Sequence, residues 1–309
     1  MHIRESTEQD FPAIVDLLKK SLGETSSPKS VNYWIWKHLK NPFGPSKVLL
    51  AESDGQLIGV RAMMQWKWQQ ENQFFSTLRA VDTATHPDFQ GKGIFSVLTQ
   101  KMVDRSNIDG VDFIFNTPNE KSLLGYLKLG WVSLGKLSVG FSYFNPLFIT
   151  HQQRIILGTN LDKIDSLCNR WNVIHQKNTP LFTPKSLDYL KWRYFDNPII
   201  KYHIYADDNI FLALYCRKRK QIHELRIAEI ICVDSSKGVS KKVKNLIRHY
   251  ADELKANLIT FAPGIKSFIP GIKILLPLGP TLAAKKVNVE LPVFVNLKFA
   301  YNLGDMELF

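Results

Sequence analysis

Residues 79–102 read RAVDTATHPDFQGKGIFSVLTQKM, and their character changes twice along the way. As far as His86 the run is patterned as a strand, and Pro87 ends it, because proline brings no N–H to a ladder. Gln90-Gly91-Lys92-Gly93 follows, and from Ile94 onward the apolar residues recur at helical spacing. A strand, a glycine turn and an amphipathic helix therefore come in direct succession. Glycines let the chain curl so that consecutive N–H groups face one concavity, and the helix behind adds its positive end. That arrangement binds a pyrophosphate. Many loops carry a glycine pair before a helix without binding anything, so the flanking sequence has to decide.

Upstream, residues 1–5 read as a strand, and Thr7 caps a helix with Phe11, Ile14, Leu17 and Leu18 on its apolar face. A Ser30 helix, a hairpin over 47–64 turned at Asp54-Gly55, and a strand within 73–86 lead into the glycine turn. Downstream come a helix over 93–105, a strand over 111–115, a helix over 121–129 and a final strand over 132–143. The order β-α-α-β-β-β-α-β-α-β predicts an α/β fold of the mixed-sheet, α+β kind.

Self-comparison extends this to the whole chain. SVNYWIWKHLKNP at 30–42 returns as SLDYLKWRYFDNP at 186–198, sharing S-x-x-Y-x-x-W-[K/R]-x-x-x-N-P at an offset of 156. Each copy is a Ser-capped helix stopped at Asn-Pro and followed by strand, polar turn and strand. The repeat predicts a tandem of one fold, with domains at 1–150 and 151–309. In the second, a helix over 240–255, a strand over 257–261 and a late strand over 291–299 complete the order.

The bulk composition suits two such domains: 309 residues, 45% hydrophobic and 22% charged, with 40 Lys+Arg against 28 Asp+Glu. No apolar run approaches a membrane span, and the polar start lacks the order of a secretory signal, so a cytoplasmic protein with no membrane partner is expected. Cys168, Cys216 and Cys232 are odd in number and lack metal-ligand spacing; they read as small hydrophobes rather than a disulfide framework or a metal site. The charge is unevenly placed. Residues 1–150 hold 16 basic against 14 acidic side chains and the remainder 24 against 14, concentrated at 217–220 and 237–248. Such runs are either solvated faces or a surface that attracts an anionic partner.

The glycine turn resembles the acetyl-CoA-binding motif of the GNAT acyltransferases, [Q/R]-x-x-G-x-[G/A]. Gln90 and Gly93 match it, while Phe95 stands where Gly or Ala is commonest. A second stretch, NEKSLLGYLKLGW at 119–131, resembles that family's N-x-x-[A/S]-x-x-x-Y-x-K-x-G-[F/W] segment. With Arg4 and the Thr7 helix, the likeness covers about residues 1–145. THP before the turn, GIF after it and the tandem arrangement are similar to the Eis-like branch, whose third, sterol-carrier-like domain this chain is expected to lack.

The resemblance implies two tandem GNAT-like domains, the second degenerate, and acetyl-CoA as cofactor. Backbone groups of Asp82, Thr83, Ala84 and Thr85 would pair with the acyl and pantetheine amides. Gln90, Gly91, Lys92, Gly93, Ile94 and Phe95 would hold the pyrophosphate, with Asn119 and Ser122 at the cofactor arm. Tyr126 would protonate the departing thiolate, its competing reading being a half-buried core aromatic. An attacking amine must be neutral although alkylamines have pKa values of about 10.4, so a base is needed. Asp82 and His86 are the nearest candidates, and in the Eis-like branch a C-terminal carboxylate, here that of Phe309, acts in the site. The second module keeps only Lys237-Gly238 of the turn and is expected to shape the acceptor pocket.

These features imply an N-acetyltransferase acting on a primary amine of a small, anionic acceptor such as an amino sugar on a nucleotide. Two alternatives stay open. One is an aminoacyl-tRNA-dependent transferase of the peptidoglycan-bridge type, the only reading that calls for nucleic acid. The other is a non-catalytic CoA-binding module.

Overall fold

In the computed structural model, residues 1–23, 28–143, 163–177, 180–234 and 236–306 are described. Local chemistry sets the first elements. Arg4 at the end of β1 (His2–Glu5) grips Asp10, whose carboxylate also accepts from the Thr7 N–H at 2.7 Å, and α1 (Phe11–Leu22) starts there. Ser30 caps α2 (Val31–His38) by accepting from the Tyr33 N–H. Asp54 and Gly55, both left-handed at φ 51° and 77°, join β2 (Lys47–Ser53) to β3 (Gln56–Gln70) in a two-residue turn that matches the strand twist. Then come β4 (Gln73–Thr85), α3 (Ile94–Ile108), β5 (Phe113–Asn116), α4 (Glu120–Lys128), β6 (Val132–Lys136) and β7 (Val139–Tyr143).

The second half repeats the order. α5 (Ile164–His175) and α6 (Leu187–Leu190), which runs on to Phe195 as a wider π-helical turn, precede β8 (His203–Ala206), β9 (Ile210–Arg219) and β10 (Ile222–Cys232). α7 (Lys237–Glu253), β11 (Leu258–Phe261), β12 (Lys273–Leu276), β13 (Thr281–Lys286), α8 (Leu291–Val295) and α9 (Leu303–Met306) follow.

Two mixed sheets result, ordered β1-β2-β3-β4-β5-β13-β6 and β12-β7-β11-β10-β9-β8. They do not divide at residue 150. β7 pairs with β11 in the second sheet, and β13 pairs with β5 in the first, so each half covers the open edge of the other. The expected single strand over 132–143 is accordingly two strands in different sheets. The expected late strand over 291–299 is also corrected. Pro292 sits in the first turn of α8, where its missing N–H does no harm, and the strand of this region is β13.

One apolar core joins the halves, running from Trp66, Trp68, Phe113 and Phe115 to Phe182, Tyr189, Trp192 and Phe211. α3 and α4 close a second core on the outer face of the first sheet, and α7 closes a third on the second sheet. The repeated motif meets itself in the middle. The Trp36 indole N–H donates to the Trp192 carbonyl and the Trp192 indole N–H to the Trp36 carbonyl, each at 2.8 Å, with the rings stacked at 5.1 Å. The offset of 156 thus becomes a local two-fold contact. All three cysteines are unpaired, and burial pushes the Cys168 thiol up to about 12. Among the described residues no helix is long and apolar enough to cross a membrane, and no group of side chains is arranged to hold a metal ion.

Candidate active site

β4 carries one residue more than β3 where their register passes from Ala62↔Val81 to Arg61↔Thr83; the extra residue is Asp82, at φ 28°. A bulge bends a strand and frees backbone groups from the ladder. On its other side β4 pairs with β5 only over 77–79 against 113–115, and then runs on to Thr85 alone. The stretch past the bulge therefore has one side open to a ligand.

Asp82 is held in place from beneath. Its carboxylate is 2.6 Å from the Lys37 ammonium and 2.8 Å from His38 Nε2, both buried. Burial alone would raise the Asp82 pKa, but Lys37 and His38 outweigh it and hold the carboxyl well below its usual range. Burial lowers His38, only partly offset by Asp82, so the ring is neutral near pH 7, donating from Nε2 and accepting at Nδ1 from the Ser46 hydroxyl. A carboxylate stabilised to this degree is a weak base. Its visible work is to fix the bulge.

His86 serves its own turn: its N–H donates to the Ile58 carbonyl, and Nδ1 accepts from the Asp88 N–H at 3.4 Å. Gln90 closes the loop by donating to the Thr85 carbonyl. Gly91 and Gly93 then take φ of 77° and 76°, and Gly93 caps the N-terminus of α3. A Cβ at either would touch nothing within 4 Å, so the left-handed backbone is what requires glycine there. The curled N–H groups and the start of a fifteen-residue helix face the same space.

That space is a cleft of about 380 Å³. Thr83, Ala84 and Thr85 form one wall, Gln90, Gly91, Gly93, Ile94 and Phe95 the other, and Ser21 and Leu22 close the end. A pyrophosphate-bearing thioester suits these walls, with open strand backbone for amides and curled N–H groups for phosphate; Lys92, between the two glycines, is not part of the lining and sets its ammonium over the Phe89 ring, 4.5 Å from the centroid. Asn119, Ser122 and Tyr126 lie outside the cleft wall, on α4. Asn119 caps that helix, its side-chain oxygen accepting from the Ser122 N–H and hydroxyl. Phe95 connects cleft and helix, meeting the Tyr126 ring edge-on at 5.3 Å. This ring fits because residue 125 is glycine; a Cβ there would come within 3.1 Å of it. Phe309 lies outside the described residues. The stretch before it is anchored by Arg79, which donates to the carbonyls of Asp305 and Met306.

Sequence reasoning missed Lys37, His38 and Arg61. Lys37 was the basic position of the repeat, and that pattern was the available sign. Arg61, fully buried on β3, donates to the Tyr126 hydroxyl at 2.7 Å. In the second half the position of Lys37 is taken by Arg193, which donates to the Gly304 carbonyl. A buried cluster lies nearby: Lys185 is 2.8 Å from Glu229 and 2.7 Å from Asp305, with Tyr194 and Tyr189 donating to the same carboxylates. Burial, opposed by Lys185, pushes Glu229 up to about 7.

Residues 2–133 match the family described as acetyltransferase (GNAT) domain. In fold the chain is similar to a conserved protein of unknown function from Enterococcus faecalis V583 described as a probable N-acyltransferase. The two are 11% identical with a TM-score of 0.67, covering 93% of this chain and 73% of that one. It is similar also to a GCN5-related N-acetyltransferase from Anabaena variabilis, at 11% identity and TM-score 0.66 over 93% and 73%. Eis1 from Mycobacterium abscessus gives 10% identity and TM-score 0.59 over 95% and 76%. No curated protein matches the sequence. At such identities the structural likeness is one of fold.

Proposed function

We propose, from the match of residues 2–133 to the acetyltransferase (GNAT) domain family, that the chain moves an acetyl group from acetyl-CoA to a primary amine of a small acceptor. The observation that carries this reading is the cleft itself, with an open strand beyond the Asp82 bulge on one side and left-handed Gly91 and Gly93 before α3 on the other.

Acetyl-CoA supplies an activated acyl group on a good leaving group. The protein's part is to hold and polarise. Backbone groups of Asp82 to Thr85, freed from β5, pair with the amide arm as another strand would. Gly91 to Gly93, Lys92 and the α3 N-terminus bind the diphosphate. Tyr126 keeps a hydroxyl proton beside Arg61 for the departing sulfur. The amine arrives neutral and passes its surplus proton to water or a base. Much of the rate then comes from holding amine and thioester together, worth up to about 7–11 kcal/mol. The second half, degenerate in its own turn, borders the acceptor side, and its basic surface favours an anionic acceptor such as a nucleotide-linked amino sugar.

A thermal-shift series with acetyl-CoA, CoA and tRNA tests this. Acetyl-CoA at a hundred times its Kd should stabilise the fold by about 2.7 kcal/mol, and thiol release should follow with one member of a panel of amines. A shift with tRNA and none with acetyl-CoA would select the tRNA-dependent transferase. Binding without thiol release across the panel would select the non-catalytic module.

A further inference from the structure

Arg61 is the buried cation of the first module whose hydrogen-bonding capacity the described residues leave largely unused. It is 0% exposed, yet among the described residues only Nη1 has a hydrogen-bond partner, the Tyr126 hydroxyl. Nε and Nη2 have none among the described residues. No carboxylate among the described residues pairs with it either, and Asp82, the bulge residue beside its ladder partner Thr83, is taken by Lys37 and His38. The rings of Tyr126 and Phe95 lie 5.2 and 5.7 Å from the guanidinium carbon and offset part of the cost. Two buried, unpartnered nitrogens carrying three N–H donors on a permanent cation remain expensive, and such a group is kept where an anion is going to form.

Its position says which anion. Arg61 lies directly across the ladder from Thr83, a wall residue of the cleft, and touches Phe95, another. Resting on the acetyltransferase reading above, we propose that Arg61 is the leaving-group residue. Its guanidinium receives the negative charge that collects on the CoA sulfur, and through Nη1 it holds the Tyr126 hydroxyl beside that sulfur. In the step, the amine nitrogen bonds to the acyl carbon and the carbon–sulfur bond breaks with its electron pair on sulfur. Tyr126 gives sulfur its proton, and the amine's surplus proton leaves to water, from which Tyr126 is reprotonated.

The test reads the sulfur and not turnover. CoA bound to the whole protein is titrated by the ultraviolet absorbance of its thiolate, with desulfo-CoA as blank. Free CoA titrated in the same buffer is the reference; bound to wild-type protein, CoA should ionise at least about one pH unit below it, a tenfold preference for the thiolate. Tyr126→Phe should keep that lowering, because the cation remains. Arg61→Met should abolish it while acetyl-CoA affinity stays within about threefold. If Arg61→Met does not fold, the wild-type titration decides alone. Bound CoA ionising at or above the free value overturns the role of Arg61 and leaves the acetyltransferase reading intact. Failure of CoA and acetyl-CoA to bind at all overturns both.

Discussion

Each sheet of the protein contains the same interruption, and the two have opposite fates. In the first, Asp82 is the extra residue of β4; in the second, Ala228 is the extra residue of β10, between Ile227↔Leu214 and Glu229↔Ala213. Both bulged strands then pair with a parallel neighbour over only three residues. The fold therefore makes two openings. The first is bordered by left-handed glycines and a helix start. The second is bordered by Asp234 and the Ser236 cap of α7, with no left-handed residue between Cys232 and Lys237 among those described, and the chain's own Ala300 to Asn302 and Asp305 reduce it to a cavity of about 120 Å³. Comparing them separates what the bulge does from what the turn does. The bulge opens a strand; beside the glycine turn the gap stays open as a cleft, and in the second half the chain itself fills much of it.

The contrast breaks most readily at the glycines. Gly93→Val puts a β-branched residue at φ 76°, and acetyl-CoA affinity measured by calorimetry should fall at least about a hundredfold, roughly 2.7 kcal/mol. Gly238→Val, in the first turn of α7 where the glycine is not left-handed, meets nothing within 4 Å and should leave the affinity within about twofold. Equal losses would mean that the second opening also serves the cofactor.

A smaller effect distinguishes the acids beside the two bulges by pH. Glu229 is raised in the fold to about 7 from its ordinary 4.5, so the stability it confers is full below pH 4.5 and is lost as pH rises to 7. Asp82 is depressed, so its contribution is full above the ordinary carboxylate range and is lost in acid. Urea unfolding of Glu229→Gln against wild type should show the gap between them narrowing by about 2 kcal/mol from pH 5 to pH 8. Asp82→Asn should instead flatten the acid limb. A pH-independent gap for Glu229→Gln would remove the contrast.

The smallest effect sharpens the comparison where the halves meet. Trp36→Phe and Trp192→Phe each delete one of two reciprocal hydrogen bonds and should cost about 1 kcal/mol. A double-mutant cycle should give a coupling of at least about 0.5 kcal/mol, and strict additivity would show that the pair does not act as a unit.

Much of this was legible in the residues because it is local. Ser30 and Ser186 announce their helices, Asp54-Gly55 its hairpin, and Gln90 to Gly93 the cradle, since caps, turns and periodicity act within a few positions. The repeat marked Trp36 and Trp192 as equivalent positions and did not say that they would face each other. What sequence left hidden is long-range. Nothing near Val139 shows that it belongs beside Leu276, or near Ala283 that it belongs beside Asn116. The site shows the same limit. Asp82 was found by its place in a motif, but its partners Lys37 and His38 come from another helix, and Arg61 sits on a strand whose pattern reads simply as core.

The strand exchange also governs how the molecule is made. β13 lies between β5 and β6, so the sheet bearing the cleft lacks an interior member until residue 286 has been synthesised, some 170 positions after β5. Until then β5 presents bare edge groups on the ribosome, and contacts this distant form slowly. The module read first is completed only once residue 286 is in place. A nascent chain stopped before β13 thus holds every residue of the glycine turn on a sheet that has not closed.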